Sequence, residues 1–528
     1  MLFPVGALWE YQFVANTTPA TPATVVPPAA GWTAPAVAPF GTIGASFTTN
    51  LAVGTPWALG TGLWVRRALV VDGLAPVLLR GQIENACFVY LDGVFIGAVN
   101  PTNTQLTGVG LFELVLPRAL LTPGSHQLAV LCLDEPGGVG DSTFFWMTAQ
   151  YLPAMIPLWP GVPMQEGLGW LNEVMISENG SEERERLRNA PRHQYRMTCF
   201  VPPGDQQAMV NTLYGARESQ WLVPVWSQVQ HLGPVLAGLS QLDVETAFSE
   251  YRAGSLAIIW QSARVWQVVG VERIVSASKL ALTNRTEAFT DAWIMPVRKG
   301  YLDTDPSRSF NGSKSRLSLV FNVEDNATLT TVAPEQYLGS DIYFEPGLLD
   351  GGALEENLTA KMDLVDEGLG PVVYDTPWVY KRPARPHRMM GETPEEAWDI
   401  RLWLHRRAGR LMPFWHPSFE ADLRVLNTGA ITTSLTVASD DYQRWAGARD
   451  HIAVETATGW LARAVTASLR VSDATTQLTL NATLGVNAPA IRRVCFLGLR
   501  RLNSDRVEIS WIGGTVCTCS VPVLDIEP

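Results

Sequence analysis

Residues 84–97 read ENACFVYLDGVFIG, and this stretch predicts a tight β-hairpin. Asp92-Gly93 joins two apolar runs, and this dipeptide favours the two-residue turns of hairpins. Further strands are predicted on both sides of it. Apolar runs follow 63–67 (LWVRR) as far as Leu79, and 112–116 (FELVL) and 124–131 (GSHQLAVL) alternate as half-buried strands do. Residues 61–135 are therefore expected to form antiparallel β-structure.

The order LWVRR, ENACFVYLDG, FELVLP and PGSHQLAV resembles the galactose-binding-like jelly roll of β-galactosidases and many carbohydrate-binding modules. That family usually has Asn-Gly where this chain has Asp92-Gly93, and Asn is common where His126 or Gln127 stands. The resemblance implies a sandwich whose ligands lie on variable loops. The candidate glycan or partner contacts are Trp32, Trp57, Trp64, Asp92 and Trp146. In the alternative interpretation the jelly roll is only a structural or interface domain, and these tryptophans belong to its core.

The rest of the chain also favours β-structure. Short runs rich in Val, Leu, Thr, Phe and Trp recur between Gly, Pro, Asn and Asp, as at 256–260 and 478–480. Helical periodicity is confined to two windows, 206–216 and 394–410. The predicted fold class is mainly β: an N-terminal β-sandwich jelly roll followed by two repeated β-rich domains with short helices.

An internal repeat supports this division of the chain. Five pairs of strings recur in the same order at offsets of about 190 to 200 residues. The pairs are 222–226 (LVPVW) with 411–415 (LMPFW), 191–197 with 385–389, 279–284 with 477–481, 295–302 with 497–502, and 316–321 with 506–511. The signature positions are Pro224, Trp226, Pro413 and Trp415. Five ordered matches predict two copies of one β-domain, called repeat A (155–335) and repeat B (336–528).

The N-terminal part is predicted as two segments. Residues 1–50 include a Pro-, Ala- and Thr-rich stretch at 15–40, and 51–154 form the jelly roll. Proline removes a donor from a strand ladder, so the stretch is expected to be an extended arm. The arm either lies on the first domain or reaches a neighbouring subunit.

Composition excludes several classes of function. The formal net charge is −12 and the chain has no Lys/Arg block, so nucleic acid is not an expected partner. No apolar run approaches the length of a membrane helix, and 1–14 lacks the basic start of a signal peptide. The six cysteines form no CxxC pair, and Cys517 and Cys519 would share one face of a strand. We expect buried thiols made in a reducing compartment.

Catalytic, metal and cofactor motifs are not found in the sequence, so no enzyme is predicted. Paired acids occur at Asp134-Glu135, Asp303/Asp305 and Asp440-Asp441, but such pairs are typical of turns and solvated loops. His405 is expected at the surface, beside two arginines. The run at 182–188 (EERERLR) is interpreted as a solvated face, or alternatively as a strip of salt bridges between subunits.

The opening segment and residues 155–528 are similar to minor tail, tail-tip or baseplate proteins of tailed bacteriophages. The similarity rests on the WEYQF string at 9–13, the APFG string at 38–41 and the repeated Arg-Pro, helix and Pro-x-Trp arrangement. It implies a structural virion protein in the tail, assembled in the bacterial cytoplasm. Implied partners are copies of this chain, as trimer or hexamer, other tail proteins (distal tail, hub or fibre) and host surface glycan. The alternatives are a carbohydrate-binding protein or a protein associated with glycoside hydrolysis.

Overall fold

A computed structural model describes residues 1–44, 49–73, 75–103, 110–134, 142–178, 180–215, 220–311, 314–348, 356–359, 363–366, 368, 370–375, 381–438, 442–443 and 449–526. Strands dominate these residues, which confirms the mainly-β prediction. The chain divides into two compact units. Unit 1 contains Met1–Met164, Tyr195–Asp325 and Gly513–Thr515, and unit 2 contains Gln165–Gln194, Asn326–Ile512 and Val516–Pro528. Residues 165–194, which the prediction placed in repeat A, belong to unit 2.

The first 151 residues build a two-sheet β-sandwich within unit 1. Its strands are β1 Leu8–Ala15, β2 Thr33–Val37, β3 Phe40–Thr42, β4 Thr55–Pro56, β5 Thr61–Val71, β6 Val77–Ile83, β7 Ala86–Leu91, β8 Val94–Val99, β9 Leu111–Leu116, β10 Gly124–Leu133 and β11 Thr143–Tyr151. One sheet has the order β2-β1-β5-β10-β7-β8, and the other has the order β4-β3-β11-β6-β9. The side chains between the two sheets form an apolar core.

The Pro-rich arm is part of this sandwich. It contributes β2 to an edge of the first sheet, an edge position being one that tolerates proline. Val25 and Trp32 pack on the outer face of the same sheet, and the Tyr90 hydroxyl donates to Pro22 O at 3.1 Å. Within this chain the arm therefore packs on the first domain.

Repeat A continues the chain with short strands and one helix. Its elements are β12 Ala154–Met155, β13 Pro160–Gly169, β14 Asn172–Ile176, β15 Glu182–Arg186, β16 Arg192–Val201, α1 Gln206–Gly215, β17 Trp221–Pro224, β18 Gln230–Val235, β19 Gln241–Asp243, β20 Leu256–Ser262, β21 Val265–Ser276, β22 Lys279–Leu282, β23 Phe289–Leu302, β24 Ser307–Asn311 and β25 Lys314–Val323. Helix α1 agrees with the predicted window at 206–216.

Repeat B has a similar set of strands and one helix. Its elements are β26 Gln336–Tyr337, β27 Ser340–Ile342, β28 Asn357–Thr359, β29 Asp363–Val365, β30 Val373–Asp375, β31 Arg382–Gly391, α2 Pro394–Arg407, β32 Phe414–Pro417, β33 Ala430–Ile431, β34 Ser434–Val437, β35 His451–Thr456, β36 Gly459–Ser472, β37 Thr475–Leu480, β38 Val486–Asn487, β39 Ile491–Leu502, β40 Arg506–Gly513 and β41 Val516–Asp525. Helix α2 begins after Thr393, whose side chain accepts the Glu396 N–H, and ends at Ala408 in the left-handed conformation.

The two repeats share one strand-pairing scheme. In repeat A, β17, β20 and β25 pair with β23, β20 pairs with β21, and β22 pairs with β21 and β19. In repeat B, β32, β35 and β41 pair with β39, β35 pairs with β36, and β37 pairs with β36 and β34. A short parallel pair, β12–β17 in one and β27–β32 in the other, completes the match.

The registers also define equivalent residues. Leu282 lies opposite Val271 and Leu480 lies opposite Val465, and a bulge follows at the same place in both ladders. Six equivalent positions carry aliphatic side chains in both cores. They are Leu242 and Leu435, Ile259 and Val454, Val271 and Val465, Leu280 and Leu478, Leu282 and Leu480, and Ile294 and Val494. Each repeat therefore buries the same apolar set around the same strands, as a duplicated domain would.

Candidate functional site

The predicted tryptophan contacts of the sandwich are mostly covered. Trp57 lies between the two sheets, and Trp64 and Trp146 lie under the segments that pack on the outer faces. Trp32 is half-buried, and the Arg66 guanidinium stands 4.2 Å from its ring centroid. Trp57, Trp64 and Trp146 are therefore buried and stabilise the sandwich, whereas Trp32 remains partly exposed beside Arg66.

Asp92 occupies the hairpin turn that the sequence predicts. Asp92 and Gly93 both have positive φ, at 49° and 81°, as a two-residue type I′ turn requires. The Asp92 carboxylate accepts the Gln127 N–H at 2.7 Å and contacts His126 Nδ1 at 2.6 Å. The other ring nitrogen, Nε2, lies 2.8 Å from Thr122 O. Since both ring nitrogens face acceptors, this geometry fits the doubly protonated imidazolium.

The protonation of this pair is coupled. Partial burial works against a charged Asp92, but the Gln127 and His126 hydrogen bonds outweigh it and lower the pKa of Asp92. The hydrogen bonds to Asp92 and Thr122 raise the pKa of His126. The pair locks β10 onto the hairpin turn of β7 and β8.

The signature prolines and tryptophans of the repeats lie in the expected elements but in a different register. Pro224 ends β17 opposite Val297, and Pro417 ends β32 opposite Leu497. The position equivalent to Trp226 is therefore Phe419. Pro413 precedes β32, and Trp415 is equivalent to Leu222. The LVPVW and LMPFW strings thus identify equivalent strands, but the alignment of their residues is wrong by four positions. The strings align Pro224 with Pro413, whereas the structurally equivalent proline is Pro417.

One other string match is also corrected. Residues 316–321 lie on β25, whereas 506–511 lie on β40. The strand equivalent to β25 is β41, since both pair with the long strands β23 and β39 beside Leu302 and Leu502.

Within unit 1, the sandwich is fastened to repeat A by a buried seam. We call this the sandwich–repeat seam, formed by Gly97, Glu113 and Val115 on one side and Gly270, Thr283 and Asn284 on the other. The Thr283 hydroxyl donates to Glu113 O at 2.6 Å, and Asn284 Nδ2 donates to Val115 O at 2.7 Å. In return Val115 N donates to Asn284 Oδ1 at 3.2 Å, and Ala98 N donates to Thr283 O at 3.2 Å.

Two glycines permit this approach. A Cβ at Gly97 would lie 2.1 Å from Thr283 O, and a Cβ at Gly270 would lie 1.9 Å from Glu113 O. Both distances are far below van der Waals contact, so only glycine fits. At the edge of the seam, Lys299 forms a salt bridge with Glu113, and Asn100 N donates to Glu272 Oε1 at 2.8 Å.

Repeat B keeps part of this arrangement. Gly270 N donates to Asn284 Oδ1 at 3.0 Å, and Ala464 N donates to Asn481 Oδ1 at the same distance. The position equivalent to Gly270 is therefore Ala464. In repeat B the Asn481 side chain accepts the Ala464 N–H. In repeat A the equivalent Asn284 side chain accepts the Gly270 N–H and also donates to Val115 O in the sandwich.

An indole cluster lies elsewhere on repeat A. The Trp159 cluster consists of Trp159, Trp226, Trp260 and Trp293, with the Trp159 ring centroid 5.2, 5.5 and 6.1 Å from the other three. Trp226 is buried, whereas Trp159 keeps 43% of its surface exposed. A cleft of about 570 Å³ adjoins the cluster and is lined in part by Trp159, Trp260, Phe200, Asp205, Gln261 and Arg264.

Repeat B replaces the central indole pair of this cluster. Trp260 lies opposite Trp293 across β20 and β23, and the equivalent pair across β35 and β39 is Glu455 and Arg493. Arg493 bonds to Glu455 and stands 5.3 Å from the ring centroid of Trp460. The shared fold therefore accepts an ion pair where repeat A has two indoles.

The remaining sequence candidates have structural roles. Asp134 is buried and accepts the Gly60 N–H, while Glu135, Asp440 and Asp441 lie outside the described residues. Asp303 and Asp305 are exposed in the β23–β24 turn, as predicted. Within either unit taken singly, the described residues bring no three His, Cys or carboxylate side chains to metal-binding distance of one another.

One surface prediction is wrong. His405 is buried because α2 packs its face inward, with Nδ1 accepting the Leu329 N–H at 3.3 Å and Trp170 beside the ring. The charged run 182–188 is exposed or half-exposed, as a solvated face is expected to be. Within it, the Glu182 side chain is covered by Arg501, which contacts its two oxygens at 2.7 and 2.9 Å. The predicted buried thiols are confirmed, since all six cysteines are free and buried. Burial raises the pKa of Cys199 to about 12.

Sequence reasoning missed the seam and the Trp159 cluster. Gly97 was visible in the hairpin motif and Asn284 in a repeat string, but nothing local distinguishes a glycine that meets a distant carbonyl. The cluster collects tryptophans from four separate segments. A comparison of the two repeats at each aligned position would have revealed the Gly270–Ala464 and Trp260–Glu455 differences.

The chain matches no protein-family model and no curated protein. Among solved structures, a β-glycosidase from Bacteroides vulgatus aligns at 12% identity and TM-score 0.19, over 37% of this chain and 31% of its own. A GH2 β-galacturonidase from Eisenbergiella tayi aligns at 12% identity and TM-score 0.17, over 58% and 46%. An anti-sigma factor domain-containing protein from Clostridium clariflavum aligns at 8% identity and TM-score 0.18, over 61% and 97%. The chain spans about a third of the length of the β-glycosidase, and TM-scores this low carry no argument about fold or function.

Proposed function

We propose that this protein is a non-enzymatic structural component of a bacteriophage tail tip or baseplate. In this proposal it forms part of an oligomeric ring or hub with other tail proteins, in a virion assembled in the bacterial cytoplasm. The observation that supports it best is the duplicated β-domain, one copy of which carries the sandwich through a buried seam. Such a chain is suited to building a scaffold, because each copy supplies a similar block and one block bears an additional module.

The duplication also favours a particular symmetry. Three chains with two similar domains each present six comparable blocks, so a cyclic trimer would form a pseudo-sixfold ring. The sandwich, whose galactose-binding-like character is part of this proposal, would be the module available to a fibre or to the host surface. In this proposal any such contact is made by the loops of the sandwich.

The test combines particle imaging with mass measurement. We expect immunogold against the native protein to label the end of phage tails in electron micrographs. We also expect sedimentation of the purified protein to give about three or six times the 57.8 kDa chain mass. A protein that is absent from every particle and monomeric at all concentrations would contradict the proposal. It would then favour the carbohydrate-binding or glycoside-hydrolase-associated alternative.

A further inference from the structure

The Trp159 cluster includes an exposed apolar surface that is not required for the fold of the domain. Trp159 is 43% exposed and Phe200, across the adjoining cleft, is 55% exposed. Large aromatic side chains stabilise a protein when they are buried, so contiguous exposed ones mark interaction sites. Trp226 and Trp260 support Trp159 from beneath, with ring centroids 5.6 Å apart. This support fixes the exposed indole in one orientation.

Repeat B provides an internal control for this surface. At the positions of Trp260 and Trp293 it has the ion pair Glu455–Arg493, while the surrounding strand pairing is the same. The indole pair is therefore dispensable for the domain fold. Its presence in repeat A alone indicates a task that repeat A performs and repeat B does not.

The edges of the cleft indicate the class of ligand. Arg264 bonds to Asp205 and donates to Gly204 O at 2.5 Å, which holds both charged groups beside the exposed rings. The side-chain oxygen Oε1 of Gln261 accepts the Thr290 N–H at 2.9 Å, which orients the side-chain amide. Planar donors and acceptors next to an indole face suit a sugar ring, because its C–H face packs on the aromatic ring while its hydroxyls take hydrogen bonds.

Other ligands fit this geometry less well. The four indoles pack against one another in tilted and edge-to-face arrangements and enclose no cage for a quaternary ammonium group, which also would meet Arg264. A volume of about 570 Å³ lies within the size range of small-ligand clefts. We infer that the cleft between Trp159 and Arg264 on repeat A is a saccharide-binding site for short segments of a surface polysaccharide.

This inference goes beyond the tail proposal, because binding can be measured on the purified full-length chain. The probes are arrayed bacterial lipopolysaccharides, capsular polysaccharides, teichoic acids, peptidoglycan fragments, chitohexaose and maltohexaose. We expect at least one probe to bind. Trp159→Ala should then weaken binding about tenfold or more, as truncation of a central Trp contact does. Phe310→Ala is the matched control, since Phe310 is an exposed aromatic residue on β24, and it should bind as the unaltered chain does.

A second variant separates binding from folding. Trp260→Glu combined with Trp293→Arg installs the ion pair of repeat B, so the chain should keep its unfolding midpoint and lose the saccharide. If this pair of changes unfolds the protein, the single Trp159→Ala change still decides the question, because that ring is partly in solvent. Absence of binding to every probe, or undiminished binding by Trp159→Ala, overturns the inference. Loss of self-association in Trp159→Ala without any saccharide binding would identify the surface as a protein interface and overturn it equally. None of these results bears on immunogold labelling of tails.

Discussion

At the residue scale, Asp92 has two roles: its backbone adopts the positive φ of the turn, and its carboxylate forms a charge-dependent contact with His126. The turn needs a residue that tolerates positive φ at position 92, and Asp does so while leaving a carboxylate in place. That carboxylate reaches β10 and holds the His126 ring, whose second nitrogen faces a carbonyl. The lock therefore depends on the protonation of one histidine.

His126→Gln should destabilise unit 1 at acid pH and have little effect at alkaline pH. The folded pKa of His126 is raised, so its contribution is complete below the ordinary value of about 6.5 and is lost as pH rises through the folded pKa. We expect a loss of about 1 kcal/mol at pH 5, discounted for the half-exposed partner Asp92, that shrinks by pH 8.5. Urea unfolding at the two pH values measures it.

The control for this change is His231→Gln. His231 also contacts a carboxylate, that of Asp291 at 2.6 Å, but both side chains are more than half exposed. An exposed pair of this kind contributes little, so the control should change stability by less than about 0.5 kcal/mol. Equal effects of the two substitutions, or an effect of His126→Gln that grows with pH, would contradict the assigned protonation.

At the scale of elements, the seam makes a sharp prediction for Gly270. Gly270→Ala would place a methyl group 1.9 Å from Glu113 O, so β9 or β21 must shift and the buried Thr283 and Asn284 hydrogen bonds must lengthen. We expect a loss of about 2 to 3 kcal/mol, as for overpacking, together with faster amide exchange in β8 and β9. Calorimetry and hydrogen exchange measure the two effects.

The reciprocal variant Ala464→Gly tests whether the effect belongs to the seam. Ala464 occupies the equivalent position in repeat B, and removal of its methyl group should cost only about 0.5 to 1 kcal/mol. Exchange in β8 and β9 should not change. If Gly270→Ala left those strands as protected as before, the seam would not be what fixes the sandwich.

Element identity was predictable from the sequence to a large extent, but register was not. The strings at 279–284 and 477–481 locate β22 and β37 correctly, because Leu280 and Leu282 fill the same core sites as Leu478 and Leu480. The Pro-x-Trp strings gave the wrong alignment of residues between the two repeats. Repeat B has prolines at 413 and 417, and the sequence does not show which of them is equivalent to Pro224. The start of the sandwich at Leu8, ahead of the predicted 51, was hidden because prolines at an edge strand resemble a linker.

At the scale of the whole molecule, the two units should respond oppositely to acid. In unit 2, burial together with the charges of Arg385 and Arg500 lowers the pKa of His387 to about 4, and burial also lowers the pKa of His416. A histidine with a depressed folded pKa contributes stability above its ordinary value of about 6.5, and this is lost as pH falls. The pair in unit 1 has the opposite sign.

Between pH 7 and 4.5 we therefore expect unit 2 to lose stability that unit 1 keeps. His387 alone accounts for a loss on the order of 2 kcal/mol. His387→Gln should remove that share of the pH dependence, whatever it does to stability at pH 7. Hydrogen exchange, corrected for intrinsic rates and read separately for peptides of each unit, measures the difference. An unchanged pH dependence in the variant would show that His387 can be protonated freely in the folded state.

The candidate sites could not be predicted from the sequence, since each depends on distant segments meeting. Gly97 and Thr283 are 186 positions apart, and their contact is a backbone one that no side-chain pattern records. The four indoles of the Trp159 cluster come from a loop, a 3₁₀ turn and two strands. The comparison of one repeat with the other at equivalent positions shows which of these residues are specific to repeat A.

The backbone contact at the seam has a mechanical consequence. Where two modules are joined by a flexible linker, a pull on one merely straightens the linker before it reaches the other. Here a pulling force on the sandwich would act immediately on the Thr283 and Asn284 hydrogen bonds, because these bonds join the two modules directly. A force applied to the sandwich would therefore be transmitted directly to repeat A, and the sandwich and repeat A would move together.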